Sequence, residues 1–185
     1  RKALGALRCM ALAWTQARMG APQPLIVLRG AAGTGKSWLA THLAPWIGAE
    51  IIRSDVVRKE LLGLEATWRP DAGQKGEVYG AGMHARTYAA LLERARATCE
   101  RGHAAFRDAT YLRRATRDEA HALAKELGVP FVILDVTCDP EVVRKRLLER
   151  AARDDDPSDA DQGIYEDMMR TAEAIQADEA PFAVV

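Results

Sequence analysis

Residues 30–37 are the segment of this sequence whose residue types and spacing point most directly to chemistry. They read GAAGTGKS and match the pattern GxxxxGK[ST], between a predicted strand and a predicted helix. Glycines allow successive backbone N–H groups to turn towards phosphate oxygens, and the helix that follows adds the positive end of its dipole. We therefore expect Lys36 to reach the β- and γ-phosphates of a nucleotide and the Ser37 hydroxyl to hold Mg²⁺. The alternative is a glycine turn that only packs a strand against a helix.

Two acidic residues and an arginine follow the next two predicted strands. Asp55 and Arg58 lie in the segment SDVVR, and Asp108 ends the segment FRD in the manner of a Walker B acid that holds Mg²⁺ through water. Because ligands of an open α/β sheet bind beyond the carboxyl ends of its strands, we expect these residues to share one cleft with Lys36. A carboxylate there can accept the proton of an attacking hydroxyl, and Arg58 can neutralise charge. The alternative is that Asp55 caps a helix and Arg58 is solvated.

Arginines near the end of the chain indicate a further phosphate-binding element. Arg146, Arg150 and Arg153 lead into the polar break DDDP at 154–157. We expect Arg150 and Arg153 to contact phosphates from a mobile lid, and the alternative is a solvated helix end. The remaining basic candidates are expected at the surface or at an exposed helix start, where the arginines could also meet an anionic substrate; they are His84, His103, His121, Arg113, Arg114 and Arg117.

Strands and helices alternate along the sequence and supply the positions that these residues need. Short apolar runs without alternation predict parallel strands buried on both faces, at 25–28, 50–53, 104–107, 131–136 and, cut short at the end, 181–185. Between them, helical spacing predicts a helix that Pro45 could shorten, a short helix at 55–62, a capping box at Thr116 and Glu119, and a helix opened by Asp139-Pro140. The glycine-rich segment 63–82 is expected to be mobile. This order predicts βαβ crossovers with helices on both faces of a sheet.

Composition limits the protein class. The 185 residues suit one compact domain, and the 26 basic and 26 acidic side chains give no net charge, which argues against a broad nucleic-acid or membrane footprint. The three cysteines form no CxxC pair, and no run is long and apolar enough to span a bilayer, so we expect a cytoplasmic protein. Residues 1–22 are interpreted as an amphipathic helix and linker, and residues 23–185 as the domain itself. Since the chain does not begin with Met, we expect it to be part of something longer.

Taken in order, GxxxxGKS, SDVVRKEL, DAT and DPSDA resemble the P-loop kinases of the zeta-toxin and polynucleotide-kinase-like group, of the AAA_33 type. The pattern is most similar to the ATP-binding domain found behind an aminoglycoside-phosphotransferase-like domain in bacterial two-domain proteins. The resemblance covers 25–175 and implies a three-layer αβα P-loop NTPase fold with a five-stranded parallel sheet, an arginine lid and bound ATP and Mg²⁺. It also implies an upstream domain whose tail is 1–19. The roles it implies are the catalytic base for Asp55, its partner for Arg58, the strand-end acid for Asp108 and a lid arginine for Arg150.

Two residues depart from the family pattern. Trp38 replaces a hydroxyl residue after Ser37, which leaves only its backbone N–H for an α-phosphate, and Arg107 replaces an apolar strand residue. We expect Arg107 either to lie on a less buried strand face or to serve a ligand. The full set of candidate nucleotide-binding residues is Gly30, Ala31, Ala32, Gly33, Thr34, Gly35, Lys36, Ser37, Trp38, Arg150 and Arg153.

The resulting hypothesis is an ATP- and Mg²⁺-dependent kinase that phosphorylates a hydroxyl by positioning and electrostatic stabilisation. Its catalytic residues would be Lys36, Asp55, Arg58 and Arg150. The acceptor is an unidentified small molecule or a 5′-hydroxyl nucleic acid, and zero net charge disfavours the latter. The alternative hypothesis is an ATP-binding regulatory module that controls a fused or partner phosphotransferase-like domain.

Overall fold

The computed structural model describes residues 22–65, 68, 70, 73–151 and 162–184 of the chain. Five strands lie in one sheet in the order β2-β3-β1-β4-β5, and all of their pairings are parallel. The strands are β1 (Leu25–Arg29), β2 (Ala49–Arg53), β3 (Ala104–Asp108), β4 (Phe131–Asp135) and β5 (Ala183–Val184). The predicted five-stranded parallel sheet is therefore confirmed, with the carboxyl ends of its strands at one edge.

The connections between strands are mostly helical, as parallel neighbours require. The helices are α1 (Lys36–Ile47), α2 (Ser54–Leu61), α3 (Lys75–Tyr79), α4 (Ala81–Glu100), α5 (Arg114–Leu127), α6 (Pro140–Ala151) and α7 (Gln162–Arg170), with a 3₁₀ turn at Ala180–Phe182. Among the described helices, none combines the length and apolar character of a membrane span. The glycine-rich segment contributes α3 and the start of α4 to the described part of the chain.

Each face of the sheet carries its own apolar core, which gives three layers. On one face the α1 residues Ala40, Leu43 and Ile47 pack against Leu28 and Phe106. On the other face α4 and α5 cover the strands with Leu91, Ala95, Ala120, Leu123 and Ala124. Full burial of a Leu, Ile or Phe side chain contributes roughly 1.5–3 kcal/mol, so these contacts hold β1 and β3 firmly in the centre of the sheet. The central strands in turn fix where the loop after β1 and the acid ending β3 must lie.

Of two expectations about helix boundaries, the end of α1 near Gly48 is confirmed and the capping box at Thr116 was wrong. Helix α1 is not shortened by Pro45 and continues to Ile47, because the missing N–H costs one bond near the helix end and Gly48, at φ +64°, terminates the helix by donating to the Ala44 carbonyl. Thr116 does not form a capping box, since α5 already begins at Arg114. Its hydroxyl instead donates to the Arg113 carbonyl at 2.8 Å.

Two arginines and a histidine expected near the surface are built into the fold. Strand β3 is buried on both faces, and Arg107 is 0% exposed, with its guanidinium 5.0 Å from the centre of the Tyr111 ring. Arg117 is equally buried and bonds the Glu179 carboxylate through Nε at 2.6 Å and Nη2 at 2.9 Å. This hydrogen-bonded partner holds the pKa of Glu179 below its usual range. His121 stacks on Phe131. Aromatic and ionic partners thus allow these polar side chains to pack within the fold.

Candidate functional site

The loop between β1 and α1 has three positions whose backbone conformation favours glycine. Gly30, Gly33 and Gly35 have φ values of +148°, +80° and +104°. A Cβ atom on Gly30 would lie 2.5 Å from the Val136 carbonyl oxygen, and one on Gly33 would lie 2.9 Å from Val143 Cγ1. The Gly30 N–H donates to the Thr110 carbonyl at 3.0 Å, which ties the loop to the segment after β3. The loop is thus a tight, preformed turn that leads directly into α1.

Lys36 spans this loop from the first turn of α1. Its Nζ atom is buried and donates to the Ala31 carbonyl at 2.7 Å, and Thr34 Oγ1 donates to the same oxygen at 3.0 Å. Ala31 and Ala32 anchor the loop by packing into a small apolar cluster. An ammonium group and a helix N-terminus on one glycine-rich loop form an anion site suited to the phosphates of a nucleotide.

Asp108 lies beside the loop at the carboxyl end of β3. Burial raises the pKa of the Asp108 carboxyl, while a hydrogen bond from Ser37 and the charges of Lys36 and Arg53 oppose that rise. Arg53 Nε is 3.5 Å from Asp108 Oδ2. A buried carboxylate next to a hydroxyl fits Mg²⁺, which takes few protein ligands and completes its shell with water and phosphate oxygens. In the ranges that the structure covers, no group of three or more His, Cys, Asp or Glu side chains could hold a metal by itself.

Asp55, in the first turn of α2, forms a pair with Arg58, one turn further along the helix. Arg58 Nη1 donates to Asp55 Oδ1 at 3.0 Å, and the guanidinium lies 5.0 Å from the centre of the Tyr79 ring. Arg58 is 8% exposed, so it is not solvated. The N-cap position of α2 is occupied by Arg53, so Asp55 does not cap the helix. The pair at the carboxyl end of β2 is therefore neither a helix cap nor a solvated arginine.

A cleft of about 770 Å³ connects these groups. Its walls include Lys36, Ser37, Asp55, Arg58 and Asp108, which the sequence predicted would converge. Trp38 lies at the rim, 55% exposed, with its ring stacked on His42 at a centroid distance of 4.1 Å. Arg107 is not among the residues that line the cleft.

The predicted arginine lid falls largely beyond what the structure describes. Arg150 lies in α6, but its side chain lies outside the described residues, as do Arg153 and the 154–157 segment. Arg146, one turn before Arg150, is described, and its Nη1 atom is 3.4 Å from the carbonyl oxygens of both Gly33 and Thr34. Its spacing of four residues from Arg150 places both on one helix face, a signal from which Arg146 could have been included among the candidate residues.

The far end of the cleft combines residues that the sequence pointed to, in the helix start at 79–88 and at Arg113, with others from α7 that it did not. The ring of His84, on α4, contacts that of Tyr88 in a tilted arrangement with centroids 4.4 Å apart, and His84 is half-buried, contrary to the expected surface position. Burial, followed by the charges of Arg58 and Arg113, lowers the pKa of His84. Helix α7 contributes to this part of the lining, whose side chains include Tyr79, Thr110, Arg113, Thr116, Ile164, Met168 and Thr171. These residues come from five separate segments, so no local spacing in the sequence predicts that they lie together.

Comparison with known proteins places these features in a family. The AAA_33 family model, described as an AAA domain, matches residues 25–175. Two relatives are each 30% identical over 147 residues, or 77% of this chain: uncharacterized protein Rv2004c of Mycobacterium tuberculosis and uncharacterized protein Mb2027c of Mycobacterium bovis. The chain spans 28% of the length of these relatives.

Solved structures share the fold at low sequence identity. A sugar kinase from Janibacter sp. has a TM-score of 0.62 at 20% identity and covers 89% of this chain and 84% of its own. Chaetomium thermophilum Kti12, in complex with ADP-AlF3, has a TM-score of 0.66 at 17% identity over 88% of this chain and 89% of its own. A gluconokinase from Sinorhizobium meliloti has a TM-score of 0.57 at 18% identity, covering 88% and 81%. The fold is that of the P-loop kinases.

Proposed function

The chain belongs to the AAA_33 family, and from that premise we propose that it is an ATP- and Mg²⁺-dependent kinase that phosphorylates a hydroxyl group. One observation carries the proposal: the phosphate-binding loop and the Asp55–Arg58 pair line the same cleft. A nucleotide-binding loop alone would serve any NTPase. A carboxylate held across the cleft from it supplies what a kinase needs in addition, a proton acceptor for the attacking group.

In the proposed reaction the loop N–H groups and Lys36 bind the β- and γ-phosphates. Ser37 and Asp108 would hold Mg²⁺, which when bound neutralises phosphate charge. Asp55 accepts the proton of the acceptor hydroxyl, and the oxygen forms a bond to the γ-phosphorus. The bond between that phosphorus and the β,γ-bridging oxygen breaks, and ADP leaves with the electron pair. Arg58 orients Asp55 through the 3.0 Å hydrogen bond.

The lid is part of the same proposal. Arg146 already contacts the loop carbonyls, and Arg150, four residues on, would approach the transferred phosphate from the same face of α6. Arg153 would extend that surface. Guanidinium groups at this place neutralise the charge that develops on the phosphoryl oxygens.

Transfer of label from γ-labelled ATP tests the role of Asp55. Asp55→Asn should leave nucleotide affinity nearly intact and lower transfer by roughly 10²–10⁴-fold, because the variant cannot accept the proton. Asp118→Asn is the matched control, since Asp118 is an exposed acid of α5 outside the cleft whose partner is Arg114. The acceptor panel should contain sugars and sugar acids, as the names of two structural neighbours suggest, with nucleosides, aminoglycosides and 5′-hydroxyl oligonucleotides. Turnover of Asp55→Asn comparable to the unmodified enzyme would remove Asp55 as the base.

A second candidate function is an ATP-binding module that regulates an adjoining domain. It is favoured by the length of the relatives, of which this chain spans 28%. In this proposal residues 23–185 are the module, and 1–22 connect it to an upstream phosphotransferase-like domain. The module would hydrolyse ATP slowly without an acceptor and would bind its partner differently with and without ATP. Equal partner affinity in the two states, measured by calorimetry on the full-length protein, would exclude it.

A further inference from the structure

The two ends of the cleft differ in their charge balance. Among the described side chains that line the phosphate end, Lys36 is matched by Asp108; Arg53, which does not line the cleft, also lies 3.5 Å from Asp108. At the far end, the described side chains that line the cleft supply two guanidinium groups, from Arg58 and Arg113, and one carboxylate, that of Asp55. The proposed reaction uses this carboxylate as a proton acceptor. The far end is therefore left with excess positive charge where the acceptor must bind.

Arg58 retains hydrogen-bonding capacity after it has bound Asp55. Its side chain is nine-tenths buried, and only Nη1 contacts the carboxylate. Its Nε atom is buried and has no hydrogen-bond partner in the part of the chain that the structure describes. A buried N–H donor without a partner is costly, so it is expected to gain one when a ligand fills the cleft.

His84 and Arg113 present further unused donors to the same space. Within the described ranges, neither ring nitrogen of His84 has a hydrogen-bond partner, and the Arg113 guanidinium has no ion-pair partner. The lowered pKa of His84 keeps its ring neutral at pH 7, with one N–H available to donate. These donors come from α2, α4 and the turn before α5. An anionic group is the kind of ligand that would accept their hydrogen bonds.

We propose that the acceptor carries an anionic group, a carboxylate or a phosphate, beside the hydroxyl that is phosphorylated, and that Arg58, His84 and Arg113 bind this group. The inference rests on the proposed kinase function and names its substrate class. It excludes cationic acceptors such as amino sugars and aminoglycosides, because their ammonium groups would face the two guanidiniums.

Four sugars with one carbon skeleton and different charges test this inference. The probes are glucose, glucosamine, glucuronate and glucose 1-phosphate, titrated by calorimetry into protein loaded with Mg²⁺ and β,γ-imido-ATP so that the phosphate loop is occupied. At least one anionic probe should bind about tenfold or more tightly than glucose, and glucosamine should bind most weakly. The two anionic probes distinguish a carboxylate site from a phosphate site. If neither binds more tightly than glucose, including no detectable binding of either, the inference is overturned.

Variants of Arg113 give a second readout that does not depend on catalysis. Arg113→Gln should remove about tenfold of the preference for the anionic probe and leave binding of glucose and of β,γ-imido-ATP unchanged. Arg113→Lys should keep most of it, because the charge remains. The matched control is Arg86→Gln, an exposed arginine on the helix of His84 that does not line the cleft. An unchanged preference in Arg113→Gln contradicts the inference.

Label transfer to the same probes separates the two proposals. Anion-selective binding without any labelled product would support the anion site and count against the kinase function. A labelled product formed best from glucose or glucosamine would support the kinase and overturn the anionic acceptor.

Discussion

The phosphate end of the cleft and its far end, where we propose that the acceptor binds (the acceptor end), are built in different ways. The phosphate end is made of backbone, with three glycines at positive φ and one lysine folded over the loop. The acceptor end is made of side chains from α2, α3, α4, α7 and the turn after β3. A backbone site is insensitive to the identity of the group transferred, whereas a side-chain site can change its ligand by substitution. If the proposed function holds, substitutions should change the choice of acceptor more readily than they change nucleotide binding.

One turn joins the two ends physically. The Thr110 carbonyl accepts the Gly30 N–H at 3.0 Å, and the Thr110 hydroxyl lies 3.3 Å from the Tyr88 hydroxyl, with which it forms a hydrogen bond. The Tyr111 N–H donates to that same Tyr88 hydroxyl at 3.4 Å, with Tyr111 at φ +44°. The segment after β3 therefore contacts the phosphate loop on one side and the acceptor wall on the other. Binding of an acceptor is therefore linked to the phosphate loop through this one segment.

The largest effect on nucleotide binding and stability is expected from a methyl group added at the phosphate end. Gly30→Ala places Cβ 2.5 Å from the Val136 carbonyl oxygen at φ +148°, so the loop must shift. We expect a loss of about 1–3 kcal/mol in the free energy of unfolding and a roughly 100-fold loss of nucleotide affinity, since displaced N–H groups no longer meet the phosphates. Urea unfolding and nucleotide titration measure the two quantities.

Gly48 provides the matched control for this substitution. It also has positive φ, +64°, but a Cβ there would meet nothing within 4 Å. Gly48→Ala should cost about 1 kcal/mol of stability for the left-handed conformation and leave nucleotide affinity as it was. Normal nucleotide affinity in Gly30→Ala would show that the loop tolerates a side chain, and the contrast between a backbone end and a side-chain end would fail.

A smaller effect, which leaves ATP binding unchanged, is expected at the acceptor end. Arg58→Lys retains the charge but loses the planar fork that holds Asp55 at 3.0 Å. We expect kcat for transfer to fall about tenfold because the base is less well oriented, with an unchanged KM for ATP. Steady-state kinetics on the best acceptor of the panel measure both constants.

Arg94→Lys is the control for Arg58→Lys. Arg94 pairs with Glu60 at 2.5 Å, but both side chains are exposed and neither lines this cleft. The variant should behave as the unmodified enzyme does. If Arg58→Lys instead weakened ATP binding as much as it slowed transfer, the two ends would not act as separate parts.

The same contrast explains how far the sequence could predict this molecule. The loop is eight consecutive residues, and the central strands are continuous apolar runs, so local pattern and motif identify both. Asp55, Arg58 and Asp108 could be placed because each follows a strand whose carboxyl end must reach the same edge. These predictions needed only topology, and the geometry brings the three residues together.

What the sequence could not predict depends on tertiary partners. His84 looks like a solvated helix residue until Tyr88 and Arg58 are placed around it. Arg107 and Arg117 are strongly polar residues that the fold buries, one against the Tyr111 ring and one against Glu179. Such partners lie up to 62 positions away in the chain, beyond the reach of any periodicity. Thr116 shows the converse case, in which a valid capping pattern loses to a helix that starts earlier.

The smallest effect is expected from protonation at the acceptor end. The pKa of His84 is lower in the folded protein than its ordinary value of about 6.5. Between these two pKa values the unfolded chain binds more protons than the folded one, so folding stability falls as the pH drops below about 6.5. His84→Gln should remove this part of the pH dependence, while His103→Gln, at an exposed position, should not.

Urea unfolding between pH 5 and 8 measures that difference, and an NMR titration of the His84 ring adds a site-specific readout. Arg113→Gln should raise the pKa of His84, because it removes one of the two cations that oppose protonation. An anionic ligand should raise it further for the same reason. If Arg113→Gln leaves the His84 titration unchanged, the charge of Arg113 does not act on His84, and the remaining guanidinium, that of Arg58, is balanced by Asp55.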